Sequence, residues 1–417
     1  MKTRILSEMD KIREEIIALG EEILKNPETG YFEEKTSALI RSVFDKYGIE
    51  YTFPHAITGV KAKIGQGRPN IAIIGEMDSV KCDGKNSHKC GHNAQIASML
   101  GSAIAIKKSG VMNSLDGTIT FFAVPAEEFI ELDKRAELKQ KGKISGFGGK
   151  QQLIAEGAFD DVDIAIMLHA KPNEENTKIY TRGYNLGFVA KNITFQGKAV
   201  HASEPWGGTN ALNAAALFIL GIHSNRETFK DEERIRIHPI ITKGGDVVNS
   251  VPDEVCIETY IRGATLEAIK KGAEAVDRAV SGASQMIGTS YKIETVPGYL
   301  PLFEDENLSN VIEDVAYKLL GENSVIQGEA ITGSTDMGDL SQLIPVIQPS
   351  IGGFTGNLHA KDFHITDAET AYIKASKLLS LTALYLLENG AEKANEIIEK
   401  FKPTLDKQKY LNYLKGE

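Results

Sequence analysis

The stretch His88-Lys89-Cys90-Gly91-His92-Asn93-Ala94-Gln95 sets a thiol and an imidazole two residues apart, just ahead of an apolar run. Behind it Ile96, Met99, Leu100, Ala103 and Ile104 recur at i, i+3, i+4, i+7 and i+8, the period of an amphipathic helix. Cys90 and His92 therefore belong to the turn before that helix or to its first turn. Thiolate and imidazole are donors that borderline-soft divalent cations accept. Gly91 lets the backbone fold closely enough for both to point inward. A lone Cys-x-His is weak evidence, because a buried thiol beside an ordinary His gives the same pattern. Its meaning depends on what the rest of the chain brings to it.

Working outward, short apolar runs alternate with helical periods. Asn70 to Gly75 reads as a buried strand that ends in Glu76-Met77-Asp78. Thr118 to Val124 is a second, ending in Pro125-Ala126-Glu127-Glu128, and Asp163 to Leu168 a third, ending in His169. Polar residues at the C-terminal ends of strands are where open α/β sheets bind ligands. Residues 129–149, charged and then Gly-rich, read as a mobile loop. From Leu186 the order becomes β-α-β-β-α-β: strands at 188–195, 234–241, 254–261 and 290–296, helices at 211–222 and 266–286. That is the order of a small ferredoxin-like domain. The α/β pattern resumes near residue 300, so this unit is inserted. The fold expected is α/β: a mostly parallel-sheet domain, residues 1–186 and 299–417, interrupted by a βαββαβ domain at 187–298. Near the end, Gly352 to Gly356 reads as a loop leading to His359, Glu369 to Leu387 as a long apolar helix, and the basic tail from Lys400 as a solvated helix end.

A length of 417 residues suits two domains, since single cores stop growing at about 250–300 residues. The formal charge of −10 argues against nucleic acid as a main partner, because phosphate binding needs a basic surface. No apolar run approaches a membrane span. The first residues, Met1-Lys2-Thr3-Arg4-Ile5-Leu6-Ser7-Glu8, lack the apolar core of a secretion signal. The 3 cysteines, Cys82, Cys90 and Cys256, are sparse and odd in number. That fits a reducing cytoplasm better than a disulfide framework.

Four separate places thus carry metal-ligand residues beside strand ends or loops. Cys90, His92, Glu128, His169 and His359 make five donors, enough for two divalent ions sharing a pocket. One carboxylate, three imidazoles and a thiolate suit Zn, Mn, Co or Ni better than Ca or Mg. The adjacent Glu127 and Glu128 fit a division of labour, one binding metal and the other moving a proton. Because neighbours in a strand face opposite ways, the pair must lie just past the strand, where Pro125 helps end it.

With these motifs in place the chain resembles the M20 family of metallopeptidases and amidohydrolases, in its cysteine-containing, aminoacylase-like branch. The likeness runs from Asn26-Pro27-Glu28-Thr29-Gly30-Tyr31-Phe32-Glu33-Glu34 through Glu76-Met77-Asp78, Cys90-Gly91-His92-Asn93, Pro125-Ala126-Glu127-Glu128 and Leu168-His169. It continues with Gly197-Lys198-Ala199-Val200-His201-Ala202, Asn249-Ser250-Val251-Pro252-Asp253, Arg262 and Leu358-His359. By that resemblance the first domain is zinc-peptidase-like and the insert is a lid and dimerisation domain. Cys90, His92, Glu128, His169 and His359 would bind two metal ions, Mn or Zn, with Co or Ni as other choices. Glu127 would be the general acid/base, and Asp78 would orient a ligand from behind it. His201 would contact the oxyanion or the substrate carboxylate, in its own or a neighbouring subunit's site. Asn249 and Arg262 would hold that carboxylate, which the Arg fork grips by both oxygens.

The expected activity is metal-dependent hydrolysis of a small N-acyl amino acid, an aminobenzoyl-glutamate-like conjugate or a dipeptide by an activated water. The expected protein is a cytoplasmic homodimer or larger homo-oligomer. Two features depart from the hippurate-type pattern: Asn93 replaces the usual Asp, and Gln95 the usual second His. The segment Gly333-Ser334-Thr335-Asp336-Met337-Gly338-Asp339 also differs from that pattern, and together with the long loop after Glu128 it resembles more the aminobenzoyl-glutamate hydrolase and β-alanyl-dipeptide hydrolase subgroup. Two other readings stay open: a thiol hydrolase with Cys90 as nucleophile and a His as base, and a binding protein that keeps the fold without catalysis.

Overall fold

The computed structural model describes residues 1–174, 177–328 and 332–416. The chain separates into two compact units, one of Met1–Tyr184, Phe303–Ala330 and Asp339–Leu411, the other of Asn185–Leu302, Ile331–Gly338 and Asn412–Glu417. Four short pieces that the sequence reading assigns to the first domain, residues 185–186, 299–302, 331–338 and 412–417, group instead with the second unit. Hydrogen bonds explain this: Leu186 N donates to Gly333 O at 3.1 Å, Arg262 Nη1 to Ser334 Oγ at 2.6 Å, and the Tyr413 hydroxyl to Gly298 O at 3.0 Å.

In the first unit a six-stranded sheet runs in the order Tyr51–His55, Gly59–Gln66, Gly117–Val124, Asn70–Glu76, Ile164–Ile166, Val346–Ile347. The first two pairings are antiparallel and the other three parallel, so the sheet is mixed but mostly parallel. Asn70–Glu76 and Gly117–Val124 are buried at every position, as strands covered on both faces must be. The helix His92–Ser109 is not the one-sided helix its periodicity suggests. Sixteen of its 18 residues are buried, all but Lys107 and Lys108. It packs against the sheet on one side and the helices Lys2–Lys11, Arg13–Lys25 and Ala375–Lys400 on the other. Ser98 and Ser102 survive there because their hydroxyls donate to Gln95 O and Ser98 O, both at 2.9 Å.

A smaller sheet carries the other side of the site. Ser350–Thr355 is a strand, not the loop expected at 352–356, and pairs in parallel with His169–Pro172 with Ser350 opposite His169. It also pairs antiparallel with His364–Ile365, so the turn between these two strands carries His359. The expected long helix begins as a π-helical turn, Glu369–Lys374, and continues in Ala375–Lys400, whose backbone leaves the helical range from Glu388 to Ala391, just past the expected end at Leu387. The basic tail is a helix, Lys407–Lys415, docked by Tyr410, which is fully buried and donates its hydroxyl to Asp339 at 2.8 Å. No helix among the described residues is long and apolar enough to cross a membrane.

The second unit is a four-stranded antiparallel sheet in the order Arg236–Lys243, Glu254–Gly263, Gly187–Gln196, Ser290–Pro297. The helices Ala211–Asn225 and Leu266–Ile287 interleave with these strands in the order βαββαβ. Its own core includes Val189, Ile193, Phe218, Ile257, Ile261 and Val276.

Candidate metal centre

The expected ligands sit at the ends of elements or in the turns between them, His92 opening a helix and His169 a strand. Gly91, at φ 88°, caps the helix that begins with His92, and so turns Cys90 and His92 into the same space. A Cβ at Gly91 would lie 2.8 Å from that of Ala170, so glycine is also what lets this turn approach the His169 strand. Glu127 and Glu128 follow Gly117–Val124 directly, past Ala126 at φ 56°. His359 also takes a left-handed backbone, φ 63°, and its N–H donates to Lys89 O at 2.8 Å. Non-glycine residues in that region cost of order 1–3 kcal/mol and persist where the surroundings demand them.

The donor atoms of Cys90, His92 and His169 lie within 4.8 Å of one another, and so do those of Cys90, Glu128 and His359. Cys90 is common to both groups. Two main-chain carbonyls orient two of the rings. His92 Nδ1 donates to Asp78 O at 2.9 Å and His169 Nδ1 to Ala170 O at 3.1 Å, which leaves each Nε2 bare toward the pocket. His169 Nε2 is then 3.5 Å from Cys90 Sγ, and His359 Nε2 is 3.3 Å from Glu128 Oε1.

Burial pushes the Cys90 thiol up, with the Glu128 charge adding to it. Burial opposes charge on His92, but Cys90, Glu76 and Asp78 together outweigh it and hold the ring well above the ordinary imidazole value. Burial holds His169 below that value. His359, half in solvent, is raised by its Glu128 partner. The set fits a pair of cations. His92 Nε2 and Glu128 Oε1 are both sealed from solvent without a well-formed hydrogen bond, their nearest charged neighbours being Glu76 at 3.2 Å and His359 at 3.3 Å, and bound cations would satisfy both.

Asp78 lies behind this centre. Its Oδ2 accepts the Glu128 N–H at 2.9 Å, and its Oδ1 is 3.2 Å from His92 Nδ1. Glu127 Oε2 is 3.9 Å from His92 Nε2. In the second unit, His201 Nε2 is 3.1 Å from Asn249 Nδ2, and His201 Nδ1 accepts the Ser203 N–H at 3.2 Å. Arg262 lies elsewhere in that unit, its guanidinium 5.4 Å above the Phe188 ring centroid.

Three features escape sequence reasoning. Glu76 is completely buried, 2.5 Å from the equally buried Lys150 Nζ, and its other oxygen is 3.2 Å from His92 Nε2. Glu33, quoted only as part of a motif, accepts the Ala126 N–H at 2.8 Å and the Thr58 hydroxyl at 2.6 Å. Residues 129–149 are not a loop throughout: Leu132–Gln140 is a helix, and it sends Arg135 beneath the Glu127 turn. Glu76 and Glu33 stand without an assigned role inside the quoted motifs Glu76-Met77-Asp78 and Asn26 to Glu34, and nothing in the sequence marks Arg135.

The mostly parallel sheet, the inserted βαββαβ unit and a cysteine-bearing donor cluster define a metal-dependent hydrolase of amide bonds. Residues 72–385, about three quarters of the chain, match peptidase family M20/M25/M40, and the chain belongs to that family. Among curated relatives, a human Xaa-Arg dipeptidase is 28% identical over 99% of this chain and 94% of its own length. An N-acetyl-L-cysteine deacetylase of Bacillus subtilis is 26% identical over 92% and 91%. The crystal structure of a dinuclear metal-binding M20 peptidase from Bacillus subtilis shares the fold with a TM-score of 0.72 at 22% identity, covering 91% of this chain and 99% of that one.

Proposed function

We propose that this enzyme cleaves the amide joining an acyl or aminoacyl group to an amino acid with a free carboxylate. N-acyl amino acids, aminobenzoyl-glutamate-like conjugates and dipeptides are the substrate class. The observation that carries the reading is the convergence on Cys90 of donors from four separated segments. Cys90, His92, Glu128, His169 and His359 hold two divalent ions in this reading, and their donor chemistry suits Mn or Zn and admits Co or Ni. Bound there, such ions polarise a carbonyl and make water a nucleophile near neutral pH.

The chain's own residues do the rest. Glu127, outside both groups that share Cys90, takes the proton of the attacking water and delivers it to the leaving nitrogen. Asp78 keeps His92 in the tautomer whose Nε2 faces the pocket. His201 stabilises the developing oxyanion, a contribution on the order of 3 kcal/mol per donor. Asn249 and Arg262 hold the substrate carboxylate. Support for Arg262 is that its half-buried guanidinium pairs with no carboxylate among the described residues, its hydrogen bond going to Ser334. The inserted unit acts as lid and dimerisation surface of a cytoplasmic homodimer or larger homo-oligomer.

The thiol-hydrolase reading has one observation in its favour, the 3.5 Å approach of Cys90 to His169. It leaves His92, Glu128 and His359 without a role. The deciding experiment is elemental analysis with a screen of N-acyl amino acids and dipeptides, run with and without chelator. Loss of turnover in chelator and recovery with Mn or Zn is expected. Full activity in chelator with covalent trapping by iodoacetamide favours the thiol. Bound metal with no amide turned over removes the enzymatic reading.

A further inference from the structure

The helix Leu132–Gln140 has nine residues, and its one buried side chain is an arginine. A surface helix ordinarily docks by an apolar stripe. This one docks by Arg135, which is 1% exposed. The Nη2 group donates to Glu128 O, and Nη1 donates to Phe147 O at 2.7 Å and Ala126 O at 3.4 Å. Ala126 and Glu128 are the two neighbours of Glu127. We infer that Arg135 is the positioning residue for Glu127, its planar fork fixing the carbonyls on both sides of the acid/base. The inference rests on the reading of Glu127 given above.

The surroundings are built to admit that guanidinium. A Cβ at Gly30 would fall 2.5 Å from Arg135 Nη2 and 2.6 Å from Ala126 Cα, so only glycine lets the fork and the turn meet. The guanidinium carbon lies 5.5 Å from the centroid of the Tyr31 ring, whose hydroxyl donates to Gly146 O at 3.1 Å and Gly148 O at 3.0 Å. Ala126, left-handed at φ 56°, is clamped from its other sides, its N–H by Glu33 at 2.8 Å and its O by Gly149 N at 3.0 Å. Arg135 makes no ion pair with a carboxylate among the described residues; its fork goes to main-chain oxygens, while its charge helps hold the Asp78 carboxyl below its ordinary value. A lysine carries one point donor and cannot span those carbonyls in a plane.

Glu127 and the metal donors separate here. The Glu128 N–H is also held by Asp78 at 2.9 Å, and four of the five donors lie on segments that Arg135 does not touch. Loss of the fork therefore moves Glu127 more than the metal centre. A misplacement of about 1 Å costs on the order of 100-fold in rate.

The test uses the metal-loaded full chain and a dipeptide or N-acyl amino acid that the wild type cleaves. Arg135→Met and Arg135→Lys should both lose about 10- to 100-fold in kcat, with KM within twofold and metal content unchanged. In Arg135→Ala, methylguanidinium should restore part of kcat in a saturable way. Glu127→Gln is the control. If it turns over at the wild-type rate, the reading of Glu127 fails. If it is inactive while the Arg135 variants keep wild-type kcat, or lose activity only through lost metal or raised KM, the reading of Glu127 survives and the inference about Arg135 is overturned. Should Arg135→Met not fold, Arg135→Lys keeps the charge and most of the volume, and the same two outcomes decide.

Discussion

Asn93 Nδ2 lies 3.1 Å from the Tyr372 hydroxyl, tying the first turn of the His92 helix to the π-helical turn Glu369–Lys374. The same amide donates to Gly20 O at 3.3 Å, and the Tyr372 hydroxyl donates to Glu21 Oε1 at 3.1 Å. This explains the departure from the Asp of hippurate-type relatives. A carboxylate at 93 has no hydrogen for Gly20 O, and it would compete with Glu21 for the single hydroxyl proton. Asn93→Asp is therefore expected to destabilise the protein by about 1–3 kcal/mol, the cost of an unsatisfied buried group. Urea unfolding at pH 7 reads this directly. A change under half a kcal/mol would show that the tie is incidental.

Asp78 faces two donors at once: its Oδ2 accepts the Glu128 N–H, and its Oδ1 lies 3.2 Å from His92 Nδ1, whose hydrogen goes to the Asp78 main-chain oxygen. In Asp78→Asn one carboxylate oxygen becomes an NH2 group, which must face one of those donors. Metal affinity should fall about 10- to 100-fold, the usual size of such a loss behind a ligand. Competition with a chromophoric chelator measures it. Wild-type affinity in this variant would leave the main-chain carbonyl of Asp78 as sufficient to orient His92.

Glu33 is wholly buried, and burial, reinforced by the Asp78 charge, pushes its carboxyl up to about 8. The folded value lies above the unfolded one, so the folded state holds the extra proton in between. The stability contributed is complete below about pH 4.5, the unfolded carboxyl range, and declines as pH rises through 8. Glu33→Gln cannot titrate. Its stability relative to wild type should therefore rise with pH from 5 to 9, at no more than about 1.4 kcal/mol per unit. Chemical denaturation at several pH values gives the slope. A flat or falling difference would mean that Glu33 is ionised throughout.

What the sequence discloses follows from period and position. The inserted unit is legible because its strands alternate and its helices carry one apolar face, as in Leu266–Ile287. Glu127, Glu128 and His169 stand out in the sequence because polar residues break off apolar strands, and Cys90 because it lies two residues from His92 ahead of an apolar helix. Arg135 is not legible, since an Arg within Asp133-Lys134-Arg135-Ala136-Glu137 has the look of a solvated helix face. The strand Ser350–Thr355 is hidden by Gly352 and Gly353, which suggest a loop. Gly353, at φ 106°, is needed because a Cβ there would come within 2.9 Å of Ala371 N and Asp367 O. Tyr410 is hidden for a similar reason: three lysines of the tail surround it in sequence while its ring packs inward.

Glu76 and Lys150 form a fully buried ion pair beside the centre, 2.5 Å apart with neither side chain exposed. Gln95, standing where hippurate-type relatives carry a His, completes it. Its Nε2 donates to Glu76 Oε2 at 2.9 Å, and its Oε1 accepts the Glu76 N–H at 3.1 Å. A buried pair of this kind gives little net stability compared with apolar residues, but removing one partner strands the other charge. Lys150→Met in metal-depleted protein should therefore lose about 3–5 kcal/mol, whereas Glu76→Gln combined with Lys150→Met should recover much of that. The coupling is read from a double-mutant cycle of unfolding free energies. If Lys150→Met stays within 1 kcal/mol of wild type, Glu76 is not held as an anion by Lys150, and the charge that raises His92 must come from Cys90 and Asp78 instead.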